Sequence, residues 1–148
     1  MTPEEIAAYA EHLHRRNSEA LGFIPRSRIE DYAEKGQVWL TTENDEPCGY
    51  IVFGIGGRML RVYQACIQYD ARRRQHGLDL VQRLVSKATS DGFDGVTLRC
   101  RDGLEANEFW RSVGFRFMGQ VKGGARRGKR LNVWTLWLES RQGWLWRP

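Results

Sequence analysis

The sequence predicts an α/β fold with a mixed central sheet, an antiparallel meander followed by a parallel crossover, flanked by helices. Three observations lead there. Runs rich in β-branched and aromatic residues alternate with amphipathic helical runs. The first three β-like runs, 37–42, 48–54 and 59–69, are separated only by short polar or glycine-rich turns, the pattern of a meander. After them come a strand-like, a helix-like and a strand-like run (59–69, 78–90, 96–100) in close succession. That order calls for a right-handed crossover between parallel neighbours.

The first helix is expected from Pro3 to Arg16. Thr2 suits its N-cap, Pro3 its first position, and Glu5 completes a capping box, with Ile6, Ala10 and Leu13 at helical spacing. His12 and His14 lie on it as solvent-facing polar residues. Residues 17–25 read as a loop. Ser27 and Glu30 form a second capping-box pattern, opening a short helix that ends at Lys35-Gly36. The three β-like runs follow, divided by a turn at 43–47 and another at Gly54, Gly56 and Gly57. Leu80, Val81, Leu84, Val85 and Ala88 give the next helix one apolar face. After the 96–100 strand, a short helix is expected over 105–113, then two strands over 115–121 and 131–138, with a flexible basic loop at 122–130 between them.

At 148 residues, with no repeat and no linker, the chain is expected to form one domain over residues 1–148. Its 41% hydrophobic and 28% charged content are ordinary for a soluble globular protein. No apolar run approaches the roughly 20 residues that span a bilayer, and residues 1–5 lack the basic-then-apolar start of a signal peptide. A cytoplasmic protein with no membrane partner is the expectation. Cys48, Cys66 and Cys100 are far apart and without CxxC spacing, which suggests neither a disulfide framework nor a zinc site, so no metal is expected. Cys66 and Cys100 fall in apolar runs and read as buried free thiols. The net charge of +5 and pI near 9.4 favour anionic partners: a phosphorylated cofactor, an acidic substrate or nucleic acid.

The chemistry concentrates at Arg72-Arg73-Arg74-Gln75-His76-Gly77-Leu78, between a β-like run and a helix. The first N–H groups of a helix have no intrahelical partner, and the helix dipole adds partial positive charge at that end. A strand, a tight basic turn and a helix therefore build an anion site, where N–H groups and guanidinium hold a pyrophosphate together. Gly77 lets the backbone come close to the ligand. The competing reading is a solvated arginine cluster in a surface loop.

With these elements in place, the chain resembles the GCN5-related N-acetyltransferases, the GNAT superfamily, from the first helix to the last strand. Two stretches carry the resemblance. The family's acetyl-CoA motif is Arg or Gln, any two residues, Gly, any one, then Gly or Ala. Arg72 takes its first position and Gly77 its last, while Gln75 stands where the family usually has a glycine. The second stretch, 106–115, looks like the family's short helix ending in Gly-Phe. Gly103, Ala106 and Trp110 stand at the family's Asn, Ala and Tyr positions.

The resemblance implies a GNAT-like sheet and direct acetyl transfer from acetyl-CoA, the co-substrate, to a primary amine of a small molecule or protein. It implies that the amides of Arg73, Arg74, Gln75, His76, Gly77 and Leu78, beside Arg72, cradle the pyrophosphate. Ile67 would bond the pantetheine in β-strand fashion, a nearby backbone N–H would polarise the thioester carbonyl, and Asn107 and Trp110 would contact the cofactor. Trp110 replaces the family's frequent acid, a tyrosine, and has only an N–H donor. No carboxylate lies between Arg58 and Tyr69, where many relatives place a basic glutamate. Tyr63 and Gln64 are then the catalytic candidates, ordering the water that carries the amine's proton away. Arg61 is a candidate for binding a substrate carboxylate. Two alternatives stand beside this reading. One is an acyl-CoA-binding module of the same shape with weak catalysis. The other is a nucleic-acid-directed, tRNA- or ribosome-associated protein using Arg126, Arg127, Lys129 and Arg130, which is not favoured because one solvated loop accounts for those charges. The C-terminal tryptophans Trp134, Trp137, Trp144 and Trp146 suit either a homodimer seam or the end of the core.

Overall fold

The computed structural model describes residues 1–15, 24–67, 75–123 and 129–138. Four helices and six strands alternate along them: α1 (Pro3–Arg15), α2 (Arg26–Glu34), β1 (Val38–Glu43), β2 (Glu46–Gly56), β3 (Met59–Ile67), α3 (His76–Ser90), β4 (Gly95–Arg101), α4 (Ala106–Ser112), β5 (Arg116–Lys122) and β6 (Arg130–Trp137). The strands form one mixed sheet in the order β1-β2-β3-β4-β6-β5, with a single parallel pair, β3 and β4, joined through α3. The expected fold class is the observed one. Arg72, Arg73, Arg74, the basic residues Arg126 and Arg127, and Trp144 and Trp146 lie outside the described residues.

The chain divides into two compact units, Met1–Gly54 with Val62–Gln82, and Ile55–Arg61 with Arg83–Pro148. In the first, α1 opens on the expected capping box. The Thr2 N–H donates to Glu5 Oε1 and the Glu5 N–H to Thr2 Oγ1, each at 3.1 Å. Ala7, Ala10 and Leu13 of α1 pack with Ile29 of α2 and with Val38, Tyr50, Val52 and Cys66 of the strands. The second expected capping box does not form. Pro25, at φ −59° and ψ 147°, caps α2 with no side-chain bond, and its carbonyl accepts the N–H groups of Arg28 and Ile29. Proline's fixed φ sets up the first turn without Ser27. The β1–β2 turn is tighter than expected. Asn44 and Asp45, at φ 53° and 65°, form a two-residue turn whose positive φ values match the twist of a hairpin.

In the second unit, β6 lies between β4 and β5 and pairs antiparallel with both. The β5–β6 register jumps from Phe117–Trp134 to Gly119–Val133, a bulge at Met118. Gly95 admits no side chain, because a Cβ there would collide with the Leu136 carbonyl oxygen. Arg58 makes a two-pronged ion pair with Asp94, at 2.8 and 3.0 Å, which ties the turn before β3 to the start of β4. Among the described residues, no helix is long and apolar enough to cross a membrane.

Candidate functional site

The first unit carries residues 62–67 of β3 and the start of α3, residues 76–82. Helix α3 starts at His76, two residues before the expected Leu78. The Asp79 N–H donates to the Gln75 carbonyl at 3.0 Å, closing the first turn. The N–H groups of His76, Gly77 and Leu78 precede that bond and have no intrahelical acceptor. Gln75 adopts φ 66°, the left-handed region that glycine occupies without cost. The departure from the family motif therefore keeps the glycine conformation and stores strain in it. The backbone fits a pyrophosphate cradle at this point: N–H groups with no intrahelical acceptor, a helix dipole, and Gly77 with no side chain to block approach.

Along β3 burial alternates, with Leu60, Val62, Gln64 and Cys66 buried and Arg61, Tyr63, Ala65 and Ile67 more exposed. Ile67 packs where Gly49 has no side chain; a Cβ on Gly49 would lie 2.5 Å from Ile67 Cδ1 and 2.8 Å from the Cys66 carbonyl oxygen. Tyr63, 37% exposed, stacks on Tyr32 of α2 with ring centroids 5.3 Å apart. Gly54 leaves room for that pair, since a Cβ would lie 2.7 Å from the Tyr63 ring and 3.4 Å from Tyr32. Gln64 is only 3% exposed, and its Oε1 accepts the Tyr50 hydroxyl at 2.8 Å. Burial holds the Tyr50 phenol well above its ordinary range. The two catalytic candidates thus sit in different surroundings, Tyr63 toward solvent and Gln64 inside.

His76 is buried, 8% exposed. Its Nδ1 lies 3.2 Å from Thr41 Oγ1 on β1, and its Nε2 lies 3.8 Å from Glu43 Oε1. No hydrogen-bond partner is found for that buried Nε2 among the described residues. Sequence reasoning placed only the His76 backbone in the site. The side-chain pairing spans 35 positions, and no local pattern announces it.

In the second unit Asn107 is 8% exposed and makes four hydrogen bonds. Its Nδ2 donates to the carbonyls of Arg101 and Leu104, both at 2.9 Å. Its Oδ1 accepts Asn132 Nδ2 at 3.0 Å and Trp134 Nε1 at 2.9 Å. Both amide hydrogens and both carbonyl lone pairs are used. These four bonds give Asn107 an internal role, holding β4, α4 and β6 together. Trp110 is 7% exposed and packs edge-to-face between Phe109 and Phe115. Arg61 is half-buried, its Cδ 3.8 Å from the place of a Cβ on Gly56. Cys66 and Cys100 are buried free thiols, as expected, and Cys48 is a third. Burial pushes the Cys100 thiol up to about 11, away from nucleophilic use near neutral pH.

Comparison with solved structures puts this architecture among acetyltransferases. Ard1 from Thermoplasma volcanium superposes with a TM-score of 0.77, at 20% identity over 94% of this chain and 95% of that one. The ribosomal-protein-alanine N-acetyltransferase of Brucella melitensis gives 0.74, at 17% identity over 91% and 96%. An aminoglycoside 6'-N-acetyltransferase complexed with coenzyme A gives 0.73, at 15% identity over 90% and 89%. At these identities the likeness concerns the fold. A search of curated protein sequences finds no match. The sequence model of the Acetyltransferase (GNAT) domain matches residues 2–126, most of the chain. The chain belongs to the GNAT acetyltransferase family.

Proposed function

We propose that this protein is an acetyl-CoA-dependent N-acetyltransferase that moves an acetyl group directly to a primary amine of a small molecule or protein. The observation that carries this reading is the junction of β3 and α3 inside the family match: a left-handed Gln75 at the motif's glycine position, followed by open N–H groups at the start of α3. A structural relative complexed with coenzyme A supports the same cofactor. In this reading the amides from Gln75 to Leu78, with Arg72, Arg73 and Arg74, hold the pyrophosphate, and Ile67 bonds the pantetheine.

The chemistry makes clear demands. A neutral amine nitrogen attacks the thioester carbonyl carbon, a C–N bond forms, and the C–S bond breaks. The carbonyl oxygen gains negative charge, which a backbone N–H near Ile67 stabilises. The amine's proton leaves through water toward the departing thiolate. Tyr63, the partly exposed polar side chain of β3, is the group proposed to order that water. Gln64, bonded to Tyr50, supports it from inside. Trp110 has no O–H to protonate the thiolate. Arg61 is the candidate for a substrate carboxylate. The whole described chain serves as one catalytic domain in this reading.

Thermal unfolding with acetyl-CoA and with free CoA tests the reading. At 100 times the dissociation constant either ligand adds about 2.7 kcal/mol of stability, a clear upward shift of the midpoint. Thiol release against a panel of amines then identifies the acceptor class. No shift at millimolar ligand would sink the cofactor assignment.

A further inference from the structure

We propose that His76 is a positioning residue: its buried imidazole ties the first turn of α3 to strand β1 and so aims the N–H groups offered to the cofactor's pyrophosphate. The inference rests on the acetyl-CoA reading above and adds to it a side chain that touches no ligand.

Something must hold this turn in shape. Gln75 sits at φ 66°, and a residue in that region stays there only when its surroundings over-determine it. The neighbours offer little hold. Gln75 and Asp79 are exposed, Leu78 is half-buried, and Gly77 has no side chain. His76 alone among residues 75–79 is buried. It lies between the strained residue and the glycine, so fixing its side chain fixes the peptide planes on either side. The tie runs to Thr41 Oγ1, at 3.2 Å from Nδ1. Glu43 Oε1 faces Nε2 at 3.8 Å, beyond hydrogen-bond reach, so Thr41 is the direct partner. Thr41 is itself buried, 9% exposed, and belongs to a strand that pairs with β2 from Val38 to Glu43, Thr41 opposite Gly49 just before a shift of register. The turn is therefore referenced to the sheet rather than to a neighbouring loop.

The mechanism predicts a specific signature. Releasing the imidazole loosens the aim of the N–H groups, which weakens pyrophosphate binding and leaves the acyl-transfer step intact once the cofactor is bound. Thr41→Val removes the hydroxyl at nearly constant shape, and His76→Phe removes both ring nitrogens while keeping a buried ring. Each is expected to raise the CoA dissociation constant and the KM for acetyl-CoA about tenfold, with kcat at saturation changed less than about twofold. The two substitutions share one interaction, so the double variant is expected to be no weaker than His76→Phe alone. His76→Asn, which keeps an amide nitrogen near the Nδ1 position, is expected to recover most of the affinity.

Calorimetric titration of CoA into each variant, with steady-state kinetics beside it, decides the matter. Thermal midpoints are recorded in parallel, and Thr41→Val serves alone if His76→Phe does not fold. Wild-type affinity for CoA in Thr41→Val would overturn the proposal, as would full additivity in the double variant, because either result reduces His76 to a packing residue. Absence of CoA binding by the wild-type protein would overturn the cofactor reading itself and this inference with it.

Discussion

Asn107 and His76 are both buried polar side chains at the beginning of a helix, and their surroundings treat them differently. Asn107 makes four hydrogen bonds to two carbonyls, Asn132 and Trp134. Among the described residues, His76 makes one side-chain bond, to Thr41, and no partner is found for its buried Nε2. The backbone leading to each helix differs in the same sense. Glu105, before α4, is in the ordinary right-handed helical region at φ −58°, while Gln75, before α3, is left-handed at φ 66°. A fully satisfied polar cluster lowers the energy of one arrangement and rigidifies it. A partly satisfied residue beside a strained one is what a binding turn looks like when the conformation matters more than local stability.

Breaking the satisfied side of this contrast has the largest expected effect. Asn107→Ala takes the acceptor from the buried Trp134 indole N–H and one bond each from the Asn132 amide and the Arg101 and Leu104 carbonyls. A loss of about 3 kcal/mol in urea denaturation is expected. A loss under about 1 kcal/mol would mean that water repairs the network and that Asn107 is less central than its bonds suggest.

Gln75→Gly sharpens the other side. Removing the Cβ at a left-handed position is expected to stabilise the fold by about 1 kcal/mol, seen as a higher thermal midpoint. A destabilised variant would show that the Gln75 side chain makes a compensating contact. Pairing this variant with CoA titration separates relief of strain from loss of aim.

The smallest effect concerns a satisfied polar group at the surface. The Thr2 backbone N–H, and then its hydroxyl, hold the Glu5 carboxyl below its ordinary value of 4.5. A depressed folded-state value means that the unfolded chain binds more protons as the solution is acidified. The Glu5 contribution is therefore present above about pH 4.5 and lost as pH falls through the folded value. The thermal midpoint of wild type should exceed that of Glu5→Gln at about pH 6, and the gap should close toward about pH 3. A gap independent of pH would assign the cap to Thr2 alone.

The sequence by itself determined the order of elements, because hydrophobic period, turn residues and caps act over a few positions. The Thr2–Glu5 box, the hairpin strands, the apolar face of α3 and the βαβ crossover were all legible in this way. The turn before α3 was legible as a motif, with the Gln75 departure visible in the letters. What the tertiary structure decided were pairings between distant positions. Ser27 and Glu30 match a capping box, yet Pro25 had already set the turn. Tyr63 and Gln64 are adjacent polar residues that the strand pleat turns to opposite faces, and the packing beside Tyr32 and Tyr50 decides which of them is buried. Asn107 meets Asn132 and Trp134, 25 and 27 positions later, through its carbonyl oxygen. The motif singled out only the backbone of His76, and the meeting of its ring with Thr41, 35 positions earlier, came from the fold. Short-range patterns specify local conformation, whereas the satisfaction of a buried polar atom depends on which distant strand the fold brings beside it.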